Sequence, residues 1–205
     1  MLRVGLTGSI GVGKSFVSSV LAELGCFVLD ADDTAREVVA PGSLGLQTVV
    51  AEFGKEILTN EGALDRLKLG ALVFADAGRR ATLNSILHPY IIAKQDERLR
   101  EWEAADAKGI AVVDAALMIE SGGYKRFDRL IVVHCREDVQ IERIMARNHL
   151  TREEAERRVG AQMSQDEKKA FADYLIDTSD GFESARARTV EVYEKLREDS
   201  EQLNQ

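Results

Sequence analysis

Five short apolar runs punctuate the chain, and between them apolar positions recur every three or four residues. The runs are Arg3-Val-Gly-Leu-Thr7, Cys26-Phe-Val-Leu29, Ile110-Ala-Val-Val-Asp114, Leu130-Ile-Val-Val-His-Cys135 and Tyr174-Leu-Ile-Asp177. Continuous rather than alternating apolar character is what a strand needs when both its faces are covered, so these runs predict a parallel sheet between helical layers. After the first run, Phe16, Val17, Val20, Leu21 and Leu24 make one helical stripe that Gly25 ends. Residues 41 to 108 carry no convincing strand: Pro41-Gly42 breaks the chain, then helical patterns run over Leu46–Phe53, over Leu64–Phe74, and from Arg79 to Ala107 with an interruption near His88-Pro89. A charged helical segment fills Glu137 to Lys169, and Phe182 to Gln205 reads as a final amphipathic helix with a frayed polar end. The pattern is that of an α/β protein with a helical insertion and no internal repeat.

Composition narrows the class. With 205 residues and 45% hydrophobic content, the chain can bury a sizeable core in one α/β domain with a small insertion. A net charge of −8 argues against a nucleic-acid or membrane-surface binder, because neither polyanion is drawn to an acidic body. Anionic ligands must therefore meet local positive groups. Cys26 and Cys135 sit in apolar runs and read as small core residues in a reducing compartment, not as a disulfide or a metal site. No run approaches the length of a membrane span and the N-terminus has no signal-peptide pattern, so a soluble cytoplasmic protein is expected.

The chemistry concentrates at Gly8-Ser-Ile-Gly-Val-Gly-Lys-Ser15, which fits the phosphate-binding pattern Gly-x-x-x-x-Gly-Lys-[Ser/Thr] between a strand and a helix. Gly8, Gly11 and Gly13 let backbone N–H groups turn inward around phosphate oxygens, and the helix beginning near Lys14 adds its positive end. Gly8, Gly11, Val12, Gly13, Lys14, Ser15 and Phe16 are thus the expected nucleotide-binding residues. Lys14 should reach the β and γ phosphates, and Ser15 has a hydroxyl of the right reach for Mg²⁺ bridging them. The alternative, a plain glycine-rich turn, leaves the order of strand, loop and helix without a purpose.

Acids end two of the strands. Asp30-Ala-Asp32 closes the second apolar run, and in an open parallel sheet that edge faces the ligand crevice. Either acid could instead cap the helix beginning with Thr34, Ala35 and Arg36. Asp114 ends the third run in the manner of a Walker B acid holding Mg²⁺ through water. Within the charged segment, Arg143 and Arg147 are four apart and share a helical face, from which they could clamp phosphate oxygens as the segment closes over ATP. The remaining positive residues of the segment, including Lys168 and Lys169, read as solvated surface, and with no strand of its own the segment should make few contacts with the core. His88, a lone histidine, reads more readily as a capping or packed residue than as a catalyst.

Taken together, Gly5-Leu-Thr-Gly-Ser-Ile-Gly-Val-Gly-Lys-Ser15, Val28-Leu-Asp-Ala-Asp32, Phe53-Gly54, Leu64-Asp-Arg66, Leu87-His-Pro89, Arg143-Ile-Met-Ala-Arg147, Ala161-Gln-Met163 and Ala172-Asp-Tyr-Leu-Ile-Asp177 resemble the dephospho-CoA kinase family over almost the whole chain. The resemblance implies transfer of the γ-phosphoryl group of ATP to the ribose 3′-hydroxyl of dephospho-CoA, the last step of coenzyme A synthesis, with Mg²⁺ as cofactor. It implies a P-loop NTPase fold: a five-stranded parallel sheet flanked by helices, with a core at 1–40, 109–136 and 170–205, a helical CoA-binding region at 41–108, and a lid at 137–169. By position, Asp32 matches the acid at the acceptor hydroxyl, Arg143 and Arg147 match the lid arginines, and Arg36, Arg66 and His88 fall with the acceptor-binding residues. Two departures stand out. Asp114-Ala-Ala-Leu-Met-Ile-Glu120 has Ala116 where the family pattern has proline, and Thr178 stands where asparagine is common, which bears on adenine recognition. A nucleoside or nucleotide kinase would share the P-loop, acid and lid but not the Leu-His-Pro and insertion motifs. A GTP switch would need Asn-Lys-x-Asp, and a transporter ATPase Leu-Ser-Gly-Gly-Gln; the chain has neither. A monomer that takes no nucleic acid or membrane partner is expected.

Overall fold

The computed structural model describes residues 1–74 and 76–203. The last two residues of the expected final helix lie outside that range. The apolar runs form β1 (Leu2–Thr7), β2 (Phe27–Asp30), β3 (Ile110–Asp114), β4 (Arg129–His134) and β5 (Tyr174–Asp177), each within a residue or so of its sequence signal. They make one five-stranded parallel sheet in the order β2-β3-β1-β4-β5. β1 is the central strand: Val4 lies opposite Val112 on β3 and Arg129 on β4. Every residue of β3 is buried, as a strand covered on both faces must be.

The covering helices are α1 (Lys14–Glu23) and α9 (Phe182–Leu203) among others. Val17 and Leu21 of α1 and Val192 and Leu196 of α9 pack with Leu2, Val4, Leu6, Val112, Ile131 and Val133 in one core. The chain leaves β1 toward β2 on one side, while β4 and β5 lie on the other. The loop after β1 therefore stands at the point where strand order reverses, and there an open α/β sheet has its crevice.

Met1–Leu29 with Trp102–Gln205 forms one compact unit, and Asp30–Glu101 forms another. The second unit is helical, built from α2 (Ala31–Glu37), α3 (Leu44–Phe53), α4 (Arg66–Phe74) and most of α5 (Ala77–Ala105). Among its described residues the strand-like feature is an isolated bridge between Leu58 and Leu64. The unit has its own core: Val49, Phe53, Ile57, Leu69 and Val73 pack with Leu83, Ile86 and Leu87.

Two details there correct the sequence reading. α5 runs through Pro89 without a break, although the ring removes the N–H that Ser85 would otherwise receive. Packing on both sides of Pro89 holds the helix together: Leu83, Ile86 and Leu87 before it join the cluster of Val49, Phe53 and Leu69, and Tyr90 and Ile91 after it join a second cluster of Val38, Val39 and Leu46, with Leu87 touching both. α2 begins at Ala31, not at Thr34, because Asp30 is its cap and accepts from the N–H groups of Asp32 (2.7 Å) and Asp33 (3.3 Å).

The charged segment folds as α6 (Glu137–Asn148), α7 (Arg152–Gly160) and α8 (Gln165–Lys169). Thr151 with Glu154 and Ser164 with Glu167 form capping boxes that start α7 and α8. The expectation of few core contacts fails. Ile141 and Ile144 of α6 are fully buried against Ala155 and Ile10. Lys168 does not face solvent: its side chain is 0% exposed, and its ammonium lies 2.8 Å from Glu120 and donates to the Ala116 carbonyl at 2.8 Å. The pattern of alternating charges concealed this, because one lysine among many solvated ones carries no mark of burial.

Candidate active site

The loop after β1 is shaped by close approach. A Cβ on Gly8 would sit 2.7 Å from the Val133 carbonyl oxygen, and one on Gly11 would sit 2.7 Å from Ile144 Cγ1, so neither position has room for a side chain. Gly11 and Gly13 also have φ of 81° and 85°, the left-handed region that glycine enters freely. Gly13 is the N-cap of α1, which starts at Lys14 as the phosphate-binding pattern requires. A glycine cap leaves the first N–H groups of the helix for a ligand, where the dipole favours negative charge.

Three charged residues named from the sequence meet at this loop. Lys14 forms an ion pair with Asp114, whose side chain is 4% exposed. Leu6 of β1 is in register with Asp114, so the strand pairing itself delivers the carboxylate beside the loop. Arg143, from α6, reaches over from the other side: its Nη1 is 3.5 Å from the ideal Cβ position of Gly13. Ser15 is exposed in the first turn of α1, and Phe16 rests its ring 4.9 Å from that of Phe182.

The other residues named from the sequence lie on α6 or in the helical unit. Arg147, one turn beyond Arg143, is exposed and donates to Asn148 Oδ1 at 3.2 Å. Asp32, Arg36, Arg66 and His88 all belong to the helical unit. Asp32 and Arg36 are exposed and four residues apart on α2, and Arg36 pairs with Asp33. Arg66 is exposed at the start of α4, and His88 is exposed on α5 rather than packed.

At the site, Gln140 and Gln165 escaped the sequence reading, and Gln162 and Thr178 take parts that it did not assign. Gln162 Oε1 accepts from the Ile10 N–H at 2.8 Å, and Gln140 Nε2 donates to the Ile10 carbonyl at 2.7 Å, so both polar groups of one loop residue are held by glutamines. Gln165 donates to Gln140 at 2.7 Å and accepts from the Cys135 N–H at 2.9 Å. Thr178, read as an adenine-side departure, is 2% exposed and donates to the Val12 carbonyl at 2.6 Å. The Ala161-Gln-Met163 motif held the signal for Gln162; Gln140 and Gln165 left none that spacing alone reveals.

Protonation follows from surroundings. Burial, with the Lys169 charge, holds the His134 imidazole below its ordinary range. Burial also pushes the Cys135 thiol up. At Asp177, burial works against ionisation but the hydrogen bonds from Ser179 Oγ and N–H outweigh it, and the carboxyl stays below its usual range. The positive field at the loop thus comes from Lys14, Arg143 and the helix end, with a neutral His134 nearby on β4.

A central parallel strand, a glycine loop that opens a helix, and a lysine and arginine converging on that loop define a P-loop kinase. The dephospho-CoA kinase family model matches residues 2–183. Dephospho-CoA kinase of Thermobifida fusca is 45% identical over 197 residues, with 96% of each chain covered. Among solved structures, TT1252 from Thermus thermophilus superimposes with a TM-score of 0.80 at 29% identity, covering 94% of this chain and 95% of that one. Dephospho-CoA kinase from Campylobacter jejuni gives 0.64 at 26% identity, covering 94% and 96%. The chain belongs to the dephospho-CoA kinase family, and it phosphorylates dephospho-CoA with ATP in coenzyme A biosynthesis.

Proposed function

We propose that the γ-phosphoryl group of ATP is delivered to the 3′-hydroxyl of dephospho-CoA at the loop Gly8–Ser15, with Lys14 and Arg143 as the principal charge-neutralising side chains. The convergence of Lys14, Asp114 and Arg143 on one glycine loop supports the reading most strongly. Phosphoryl transfer asks little covalent chemistry of a protein, so positioning and charge stabilisation supply most of the acceleration. Loop N–H groups and Lys14 hold the β and γ phosphates, and Arg143 stabilises charge on the group in flight. Asp32, two residues past the carboxyl end of β2, orients the acceptor hydroxyl and accepts its proton. Arg36, Arg66 and His88, from the helical unit, take the anionic and polar parts of the acceptor.

The donor set suits a hard cation. Ser15 offers a hydroxyl and Asp114 a carboxylate, and among the described residues no group of three or more His, Cys, Asp or Glu is placed to cage a metal. Such a sparse set fits Mg²⁺, which keeps most of its shell as water and phosphate oxygen; when bound it neutralises charge between the β and γ phosphates. Residues 137–169 are proposed as a lid whose motion is small, because Ile141, Ile144 and Lys168 stay packed, and whose exposed Arg147 approaches the phosphates on closing. The enzyme is proposed to work as a monomer in the cytoplasm, a setting that agrees with two free, buried cysteines. No helix among the described residues is long and apolar enough to cross a membrane.

An acceptor panel tests the reading. ADP release with ATP and Mg²⁺ should be far faster with dephospho-CoA than with adenosine, nucleoside monophosphates, pantetheine phosphate or water. Comparable turnover of a nucleoside monophosphate would move the activity to a different acceptor class.

A further inference from the structure

Thr178 sits between the phosphate loop and the arginine that serves it. Its hydroxyl has one proton, and the 2.6 Å contact commits that proton to the Val12 carbonyl in preference to the His134 carbonyl at 3.4 Å. The oxygen lone pairs are then left to accept, and Arg143 Nη1 donates to them at 3.0 Å. Arg143 Nη2 donates to the Thr178 main-chain carbonyl at 2.8 Å, so one residue holds two nitrogens of the guanidinium fork. The Thr178 backbone is itself tied to the sheet, since its N–H donates to the His134 carbonyl at 2.9 Å. Neither partner is loose: Thr178 is 2% exposed, and the loop glycine beside it would bring a Cβ to 3.3 Å from Oγ1.

We infer that Thr178 is a positioning residue, which fixes the Arg143 guanidinium beside the phosphate loop through its hydroxyl and carbonyl, and that it does not read the adenine base. A long arginine side chain held in advance loses less freedom when phosphate arrives, and it is aimed where charge develops. With its proton given to Val12 the hydroxyl cannot donate to a base edge, and at 2% exposure the lone pair that Arg143 leaves free has no open approach for a base. This inference rests on the reading of Arg143 as a phosphate ligand, and its test separates the two.

Thr178→Val keeps the shape and removes the hydroxyl; Thr178→Ser keeps the hydroxyl. The double variant Thr178→Val with Arg143→Ala completes a cycle that isolates coupling. The expected result is a kcat with dephospho-CoA about ten-fold lower in Thr178→Val, the scale of a lost hydrogen bond to a charged group, with KM for ATP little changed. Thr178→Ser should recover most of the rate, and Thr178→Val should have no further effect once Arg143 is alanine. The ratio of kcat/KM with ATP to that with GTP should stay constant across the series. Losses that add in the double variant, or a changed ATP-to-GTP ratio in Thr178→Val, would overturn the inference and leave the role of Arg143 intact. Arg143→Ala at wild-type kcat would remove both. Thermal melts accompany each variant, and Thr178→Ala stands in for Thr178→Val, with the same outcomes, if the valine variant does not fold.

Discussion

Asp30 and Asp32 show how two identical side chains, two positions apart, take different work from their backbone setting. Asp30 ends β2 in an extended conformation, and its carboxylate is spent on the N–H groups of Asp32 and Asp33. Asp32 is already inside the helix and exposed, and the cap is made by Asp30 in its place. The sequence left capping open for both, since Asp is favoured at a cap and in the first turn alike. From this difference follows a prediction: Asp32→Asn, which keeps shape but loses basicity, should lower kcat by about a hundred-fold or more with little effect on ATP affinity. Asp30→Asn keeps a capping oxygen and should leave kcat nearly unchanged. Steady-state kinetics on the two variants decides the matter, and the reverse ranking would assign the proton to Asp30.

Among the elements, the strands and the phosphate loop were legible because their signals are local: an apolar run, then glycines at fixed spacing before a lysine. What sequence could not show was long-range. Pro89 reads as a helix break, yet packing on both sides carries α5 through it. The charged face of α8 reads as solvated, yet Lys168 crosses to the stretch after β3 and meets Glu120 and the Ala116 carbonyl, a contact 52 residues away in sequence. Thr7 Oγ1 donates to that same carbonyl at 3.1 Å, which ties α8, the β3 exit and the end of β1 at one oxygen. The Ala116 carbonyl makes both contacts, and a main-chain carbonyl offers them whatever the side chain, proline included.

Lys168 is therefore where the segment's stability should be most sensitive. Lys168→Ala strips a buried cation from its partner and leaves a void. Loss of one member of a buried pair destabilises by roughly 3–5 kcal/mol, and a value at the low end is expected because Glu120 is 24% exposed and regains some water. Glu120→Gln keeps an acceptor but leaves the fully buried ammonium without its counter-charge, so a loss of similar size is expected. Urea unfolding gives both values; a Lys168→Ala variant within about 0.5 kcal/mol of the parent, as a surface change would be, would return Lys168 to the solvated face.

Across the whole molecule, an acidic chain meets two polyanionic substrates. The net charge of −8 offers no long-range attraction, so the proposed function places binding on the positive groups set where the sheet order reverses: Lys14, Arg143 and the start of α1. In the proposed function this cluster delivers the γ-phosphoryl group to the acceptor's 3′-hydroxyl. The most direct measurement is phosphorus NMR of the product formed from ATP, Mg²⁺ and dephospho-CoA, run in parallel with an acceptor that lacks only the 3′-oxygen. A new phosphomonoester coupled to the ribose 3′ proton, and no transfer to the 3′-deoxy acceptor, is the result expected. Phosphorylation of the 3′-deoxy acceptor at a comparable rate would contradict it, because the group accepting phosphate would then lie elsewhere on the molecule.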